Sequence, residues 1–359
     1  MNMRSLAQRD QALPDLLTLL DDTLRADALG TSTRITRLRY KPGASAVAAL
    51  RDARGAISWA VTYSDPVKLH KSRVRARRAA VELVSHGSIL AGPVRADRLL
   101  ARPLRAGLGD DVAVDSDEIV RYNPLRRLVL QRDDHAVRVT AETQHRDVDA
   151  LLAARGVPTI PVTRLHAHVT CSPWWGHGDL SARTDGPALL ARVGEALGHL
   201  HAVELPAGTL ATFDARREAR RAAEAVAALL PEAGPRSRAL AERVSALTSG
   251  GEPVTSHGDF SPDQVLTDGA DLRLIDFDRA VLAPREHDLG SHLSVDGDPA
   301  LLDGYRDAGG RIDERALAGW HALARLRRAV DPFRTAAPDW SAQVAARLAI
   351  AEDVVRSGA

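Results

Sequence analysis

Residues 256–280 read SHGDFSPDQVLTDGADLRLIDFDRA, and the fold turns on how this stretch is read. The loop His257-Gly258-Asp259 is followed by two short β-type runs on either side of Asp268-Gly269, a turn signal. Asp259 and Asp276 stand 17 positions apart, and the strand–turn–strand segment between them can return the second carboxylate to the side of the first. Phosphoryl transfer asks a protein for such a pair. One carboxylate orients or deprotonates the attacking hydroxyl, and the other holds Mg²⁺ on the phosphates. Asp259 fits the first role and Asp276 the second. The Gln264 side-chain carbonyl is a further hard oxygen donor of the kind Mg²⁺ accepts.

Upstream, residues 34–64 hold three β-type runs separated by Lys41-Pro42-Gly43 and by Asp52-Ala53-Arg54-Gly55. Residues 119–142 replay this pattern, Arg121-Tyr122-Asn123-Pro124 answering Arg39-Tyr40-Lys41-Pro42. Two copies at a long period are too few for a solenoid and read as an internally duplicated sheet unit. Residues 172–187 are rich in turn formers and read as a linker. Beyond them helical spacing dominates, over 188–200, 215–230, 236–247, 316–329 and 342–355. The expected fold class is therefore α+β and bilobal: an extension with the first repeat at 1–117, a nucleotide-binding N-lobe at 118–171, a linker or hinge at 172–187, and a helical C-lobe at 188–359.

HGDFSPDQVL, LIDFDRA and His287-Asp288-Leu289-Gly290 together resemble the catalytic segment of the aminoglycoside phosphotransferase and choline kinase family, which has a protein-kinase-like fold. The likeness covers roughly 186–295 and is only architectural before that. It implies that Asp259 is the catalytic aspartate, that His257 is a catalytic residue beside it, and that Asp276 is the principal Mg²⁺ ligand. It further implies that Asp278 assists at the metal or holds the loop, and that Asp288 pairs with the basic catalytic segment. ATP is the implied phosphoryl donor, and the acceptor is a small molecule or a peptide. The SHGDFS-D-Q signature is reminiscent of the branch that modifies Ser and Thr in ribosomally made peptides. The family's acceptors otherwise include antibiotics, choline-like amines and sugars. An arginine-rich C-lobe favours a peptide or anionic acceptor over a polycation.

Two departures stand out. Gln264 occupies the family's asparagine position, with one more methylene before its carbonyl. The chain also has only three lysines, Lys41, Lys68 and Lys71, none on a third strand. In the first repeat that position falls near Val61 or Thr62; in the second it is Arg138, which binds phosphate bidentately but is bulkier than lysine. Glu142, Asp147 and Asp149 are the candidate carboxylate partners of Arg138. These departures keep a rival open, a pseudokinase serving as a binding or scaffold subunit with a partner protein. Retention of both Asp259 and Asp276 opposes it, since two close carboxylates repel without a metal.

A second His-Gly-Asp, at 177–179, lacks a following strand and metal carboxylate and reads as a turn-rich loop. Trp174 and Trp175 beside it are candidates for a wall of the nucleotide site. The single cysteine, Cys171, excludes a disulfide framework or thiolate cluster within the chain. A formal net charge of +1 gives no ground for nucleic-acid or charged-membrane binding. No run approaches the roughly 18 apolar residues a membrane span needs, so the expected location is the cytoplasm.

Overall fold

The computed structural model describes all residues except 1, 79, 110–111, 144–147, 183–185 and 359. The chain divides into two compact units. The first comprises Met1–His145, Thr163–Trp174 and Asp331–Gln343; the second comprises Arg146–Val162, Trp175–Val330 and Val344–Ala359.

Two five-stranded sheets build the first unit. One contains β1 (Thr33–Lys41), β2 (Ser45–Asp52), β3 (Ile57–Tyr63), β4 (Val84–His86) and β5 (Ile89–Pro93), in the order β1-β2-β3-β5-β4. The other contains β6 (Ile119–Asn123), β7 (Arg127–Arg132), β8 (His135–Thr140), β9 (Thr163–His166) and β10 (Val169–Pro173), in the order β6-β7-β8-β10-β9. The orders are the same, so the duplication expected from Arg-Tyr-x-Pro extends to the whole sheet. One hydrophobic core serves both, with Val47, Trp59 and Leu90 from the first sheet and Leu128, Val139 and Val169 from the second.

The turn of each leading hairpin is tied down in the same way. Asp10 Oδ2 accepts the Tyr40 hydroxyl at 2.7 Å and the Gly43 N–H at 2.8 Å. In the second copy, Asp97 Oδ2 accepts the Tyr122 hydroxyl and the Leu125 N–H, both at 2.8 Å. Gly43 and Leu125 both take positive φ, +67° and +61°. A leucine there costs on the order of 1 kcal/mol, which the carboxylate bond to its N–H offsets. Asp97 is fully buried and also accepts the N–H groups of Leu99 and Leu100. Burial pushes its carboxyl up, against the pull of these bonds, that from Leu125 being the strongest.

The registers settle which residues of the two copies correspond. Val61 pairs with Val47, opposite the tip of its hairpin, as Arg138 pairs with Val129 in the second sheet. With Tyr40 and Tyr122 also in matching register, Arg138 is the structural counterpart of Val61. Val61 is buried in the core, so the first sheet presents no cation at this position.

The second unit is mainly helical. Its helices Pro187–Ala202, Ala215–Leu229, Gly234–Leu247 and Glu314–Arg328 lie within a few residues of their expected positions. Two small sheets interrupt them. One runs β11 (Gly178–Asp179), β14 (Val265–Asp268) and β15 (Asp271–Leu274), and the other β12 (Ala211–Thr212), β16 (Val281–Pro284) and β13 (Pro253–Ser256). The core around Leu190, Val193, Leu197, Phe260, Val265 and Leu274 carries both.

Two boundaries differ from the sequence reading. Residues 146–162 were expected with the nucleotide-binding lobe but belong to the second unit: the Leu274 N–H donates to the Pro158 carbonyl at 2.7 Å, and Thr159 bridges Leu274. Within the expected linker, Gly178 and Asp179 are an edge strand, antiparallel to Thr267 and Leu266. A two-residue strand leaves no periodic trace, and its sequence looks like a loop.

Candidate active site

The catalytic-loop candidate leaves β13 at Ser256, where the chain turns inward. His257 is fully buried. Its N–H donates to Asp288 Oδ2 at 2.6 Å, its Nε2 donates to the Ile275 carbonyl at 2.8 Å, and its ring packs on Phe260 and Phe277. Gly258 follows at φ +86°, its N–H on Asp288 Oδ1 at 3.0 Å. A Cβ at Gly258 would stand 1.8 Å from the Arg279 carbonyl oxygen, so only glycine lets this loop lie against the turn after Asp276. Asp259 comes next and reaches solvent, while Phe260 turns back into the core.

The metal-ligand candidates sit on the returning arm. Gln264 is buried at the end of a 3₁₀ turn, Pro262–Gln264, and its main-chain carbonyl accepts the Ile275 N–H at 3.0 Å. Ile275 is thus held twice, its N–H by Gln264 and its carbonyl by His257. The β14–β15 hairpin pairs Val265 with Leu274 and fixes this approach. Asp276 then adopts the left-handed region, φ +68° and ψ +50°. A non-glycine residue held there costs roughly 1–3 kcal/mol, a kind of strain that gathers at functional sites. Asp276 is half-buried and Asp278 exposed, on either side of the buried Phe277.

Asp288, in the helix Glu286–Leu293, anchors the assembly. Besides the two main-chain N–H groups, it takes His287 Nδ1 on Oδ1 at 3.0 Å and His201 Nε2 on Oδ2 at 3.2 Å. Complete burial alone would push its carboxyl up, but the bonds and charges of His201 and His287 hold it far below the usual carboxylate range. Asp288 therefore grips the loop through main-chain N–H groups and buried histidines, where a basic segment was expected.

The surroundings of Asp259 were not legible in the sequence. Arg279 Nη1 lies 3.1 Å from Asp259 Oδ2, with side-chain exposures of 54% and 38%. Arg327, on the helix Glu314–Arg328, sets its guanidinium over the Phe213 ring at 6.0 Å from the centroid. Burial lowers the Arg327 pKa, opposed by the attraction of the Asp259 carboxylate. Arg279 had a signal, being the next residue after IDFD. Arg327 had none, since the run Arg325–Arg328 looks like a solvated helix face.

His257, Asp259, Gln264, Asp276 and Asp278 thus come together in the second unit. Arg138 and Trp174 belong to the first. Arg138 is central on β8, paired with Val129 on one side and Thr170 on the other. Trp174 follows β10, exposed, its N–H on the Asp134 carbonyl at 2.7 Å. Of the suggested Arg138 partners, Glu142 follows β8, Asp149 opens the helix Val148–Ala153, and Asp147 lies outside the described residues. The second His-Gly-Asp is structural: His177 Nδ1 lies 2.8 Å from Asp268 Oδ1, and Asp179 Oδ1 accepts the Ser181 N–H.

Among the described residues no three His, Cys, Asp or Glu side chains converge as a complete metal site. Carboxylates on the short segment 276–278 nevertheless suit Mg²⁺. That ion is ordinarily held by one or two carboxylates, with substrate phosphates and water supplying the rest. Among the described residues no helix is long and apolar enough to cross a membrane.

Three solved structures share the fold: the GDP and kanamycin complex of APH(2")-IIia, at 14% identity and TM-score 0.52 over 70% of this chain and 98% of that one; the Plasmodium vivax ethanolamine kinase, at 11% identity and TM-score 0.52 over 71% and 89%; and the GDP complex of aminoglycoside 2'-phosphotransferase-IIIa, at 16% identity and TM-score 0.51 over 72% and 98%. No curated protein matches the sequence at a significant level. The model of the phosphotransferase enzyme family matches residues 112–326, well over half the chain. The bilobal α+β architecture is protein-kinase-like, and the chain belongs to the phosphotransferase enzyme family.

Proposed function

We propose that the chain is an ATP-dependent phosphotransferase that moves the γ-phosphoryl group to a hydroxyl of a small molecule or of a Ser or Thr in a peptide. The observation that carries this reading is the double hold on Ile275, which ties the Asp259 loop to the Asp276 turn through His257 and Gln264. The acceptor oxygen bonds to the γ-phosphorus as the β–γ bridging P–O bond breaks. ADP leaves with that electron pair, and the hydroxyl proton passes to Asp259. Asp276 is the principal Mg²⁺ ligand, with Asp278 and the Gln264 amide oxygen as the further donors. Bound there, Mg²⁺ supplies charge neutralisation on the phosphates. His257, buried and bonded to Ile275, positions the loop and does not touch substrate. In the first unit we assign Arg138 to the nucleotide phosphates and Trp174 to the nucleotide base.

Asp259→Asn and Asp276→Ala each abolish transfer while circular dichroism and melting temperature stay near wild type. Normal turnover in both variants would sink the assignment. Arg138→Ala raises the KM for ATP about tenfold or more, the worth of a charge-assisted phosphate contact. The rival reading, a non-catalytic scaffold, is favoured by one observation: neither third strand carries a lysine, Val61 and Arg138 standing there. Titration of melting temperature with ATP, with and without Mg²⁺, separates the two. A metal-dependent rise that disappears in Asp276→Asn supports the enzyme, and no response to nucleotide supports the scaffold.

A further inference from the structure

Asp259 is the group that must face the acceptor hydroxyl, and two arginines act on its carboxylate. Arg279 occupies one of its carboxylate oxygens, and Arg327, held over Phe213, is attracted to the same carboxylate. The Phe213 ring is itself fixed, 4.4 Å from His287 and 5.7 Å from Trp320, so the platform beneath Arg327 is rigid. The helix Ala215–Leu229 contributes the charge of Glu218, already engaged by Arg221 at 2.8 Å. Arg328 adds a further positive charge close to Arg327. The Arg279 guanidinium thus pairs with Asp259 beside the hydroxyl position, and the Arg327 guanidinium, over Phe213, is attracted to the same carboxylate. A polycationic acceptor would meet repulsion there.

On the phosphotransferase reading above, we infer that the acceptor carries an anionic group, a carboxylate or a phosphate, close to the hydroxyl it presents to Asp259, and that Arg327 and Arg279 hold that group. The ion pair of Arg279 with Asp259 explains how the anion and the base are connected. Both partners reach solvent, so the pair is worth at most about 1 kcal/mol and opens readily. An anion on the acceptor gives Arg279 a substitute partner, and Asp259 Oδ2 is released to take the hydroxyl proton. A neutral or cationic acceptor offers Arg279 no such exchange and leaves the base masked. Arg327, stacked and partly desolvated, supplies the stronger of the two contacts, since desolvation strengthens a charged hydrogen bond.

The test uses the full-length chain with MgATP and a panel of hydroxyl probes. The panel contains an N-acetyl Glu-Ser-Glu amide peptide and its Gln-Ser-Gln counterpart, glycerate and glycerol, and kanamycin. Each anionic probe is expected to exceed its neutral counterpart at least tenfold in kcat/KM, with the advantage shrinking as salt rises. Whether glycerate or the peptide is preferred tells a small hydroxy acid from an acidic peptide segment. R327Q raises the KM for the anionic probe at least tenfold and leaves the KM for ATP unchanged. R279Q, at an exposed position, does the same to a smaller degree and serves where R327Q melts early. Preference for kanamycin or for the neutral probes overturns the inference, as does an R327Q whose only change is a raised KM for ATP. If no probe is phosphorylated, calorimetric titration of the acidic peptide decides. Binding by the wild type that R327Q loses upholds the anion site while sinking phosphotransfer, and no binding sinks the anion site.

Discussion

Asp288 Oδ2 and the His257 N–H lie 2.6 Å apart in a fully buried setting, with the Gly258 N–H on the other carboxylate oxygen. One side chain thus sets the main chain just before Asp259. In Asp288→Asn an amide N–H₂ must face an N–H donor. Unfolding free energy falls by about 3 kcal/mol, measured by urea denaturation, and turnover falls with it because Asp259 loses its support. Because the folded-state pKa of Asp288 is strongly depressed, its contribution is complete above the unfolded value of 3.8 and is lost progressively as pH falls below it. The acid side of the wild-type stability curve is therefore steeper than that of Asp288→Asn.

Gly258→Ala places a methyl group against the Arg279 carbonyl and forces a side chain into φ +86°. The loop must move away from the Asp276 turn. Transfer falls by roughly 100-fold or more, the usual consequence of a 1 Å displacement at a reacting centre. Steady-state kinetics beside a thermal melt separates this loss from simple unfolding.

His321 accepts Arg325 Nε on its Nε2 at 3.0 Å. Burial, and then the Arg325 charge, lower its pKa to about 4. The folded state therefore resists protonation, and stability is complete above the ordinary histidine value of 6.5 and declines between 6.5 and about 4. The loss is on the order of 2 kcal/mol. In His321→Gln, urea midpoints between pH 6.5 and 5 become nearly flat.

The two hairpin-tethering aspartates differ in burial, and their removal should differ accordingly. Asp97→Ala leaves the Tyr122 hydroxyl and three main-chain N–H groups unsatisfied in the core, at about 3 kcal/mol or more. Asp10→Ala strands two donors in a half-buried setting, where water can replace the carboxylate, and costs about 1 kcal/mol. Equal losses in the two variants would contradict this account of the duplicated unit.

The parts of the molecule legible in the sequence are those where chemistry dictates residue type. His-Gly-Asp is written out because the loop needs a glycine at positive φ between a buried imidazole and an exposed carboxylate. The Asp276 turn is legible because a short strand ending in carboxylates has few other uses. Arg-Tyr-x-Pro betrayed the duplication since each tyrosine is bound by a distant aspartate, although the aspartates themselves, Asp10 and Asp97, gave no sign of it. Contacts made through main-chain N–H groups, as at Asp288, leave no residue signature on the other side. Arg327 was hidden for a different reason: an arginine on a helix gains its meaning only from what the opposite elements place beneath it.

The stacking of Arg273 over Trp175, 4.8 Å from guanidinium carbon to ring centroid, joins β15 to the segment leading into β11. Arg273 lies three residues before Asp276 on the same strand and extension. A cation resting on an indole alters its emission, so Trp175 is a built-in optical reporter for the arm that carries Asp276. Replacing the other four tryptophans with phenylalanine would isolate that signal, and occupancy of the carboxylate turn could then be followed by light, without a label and without turnover.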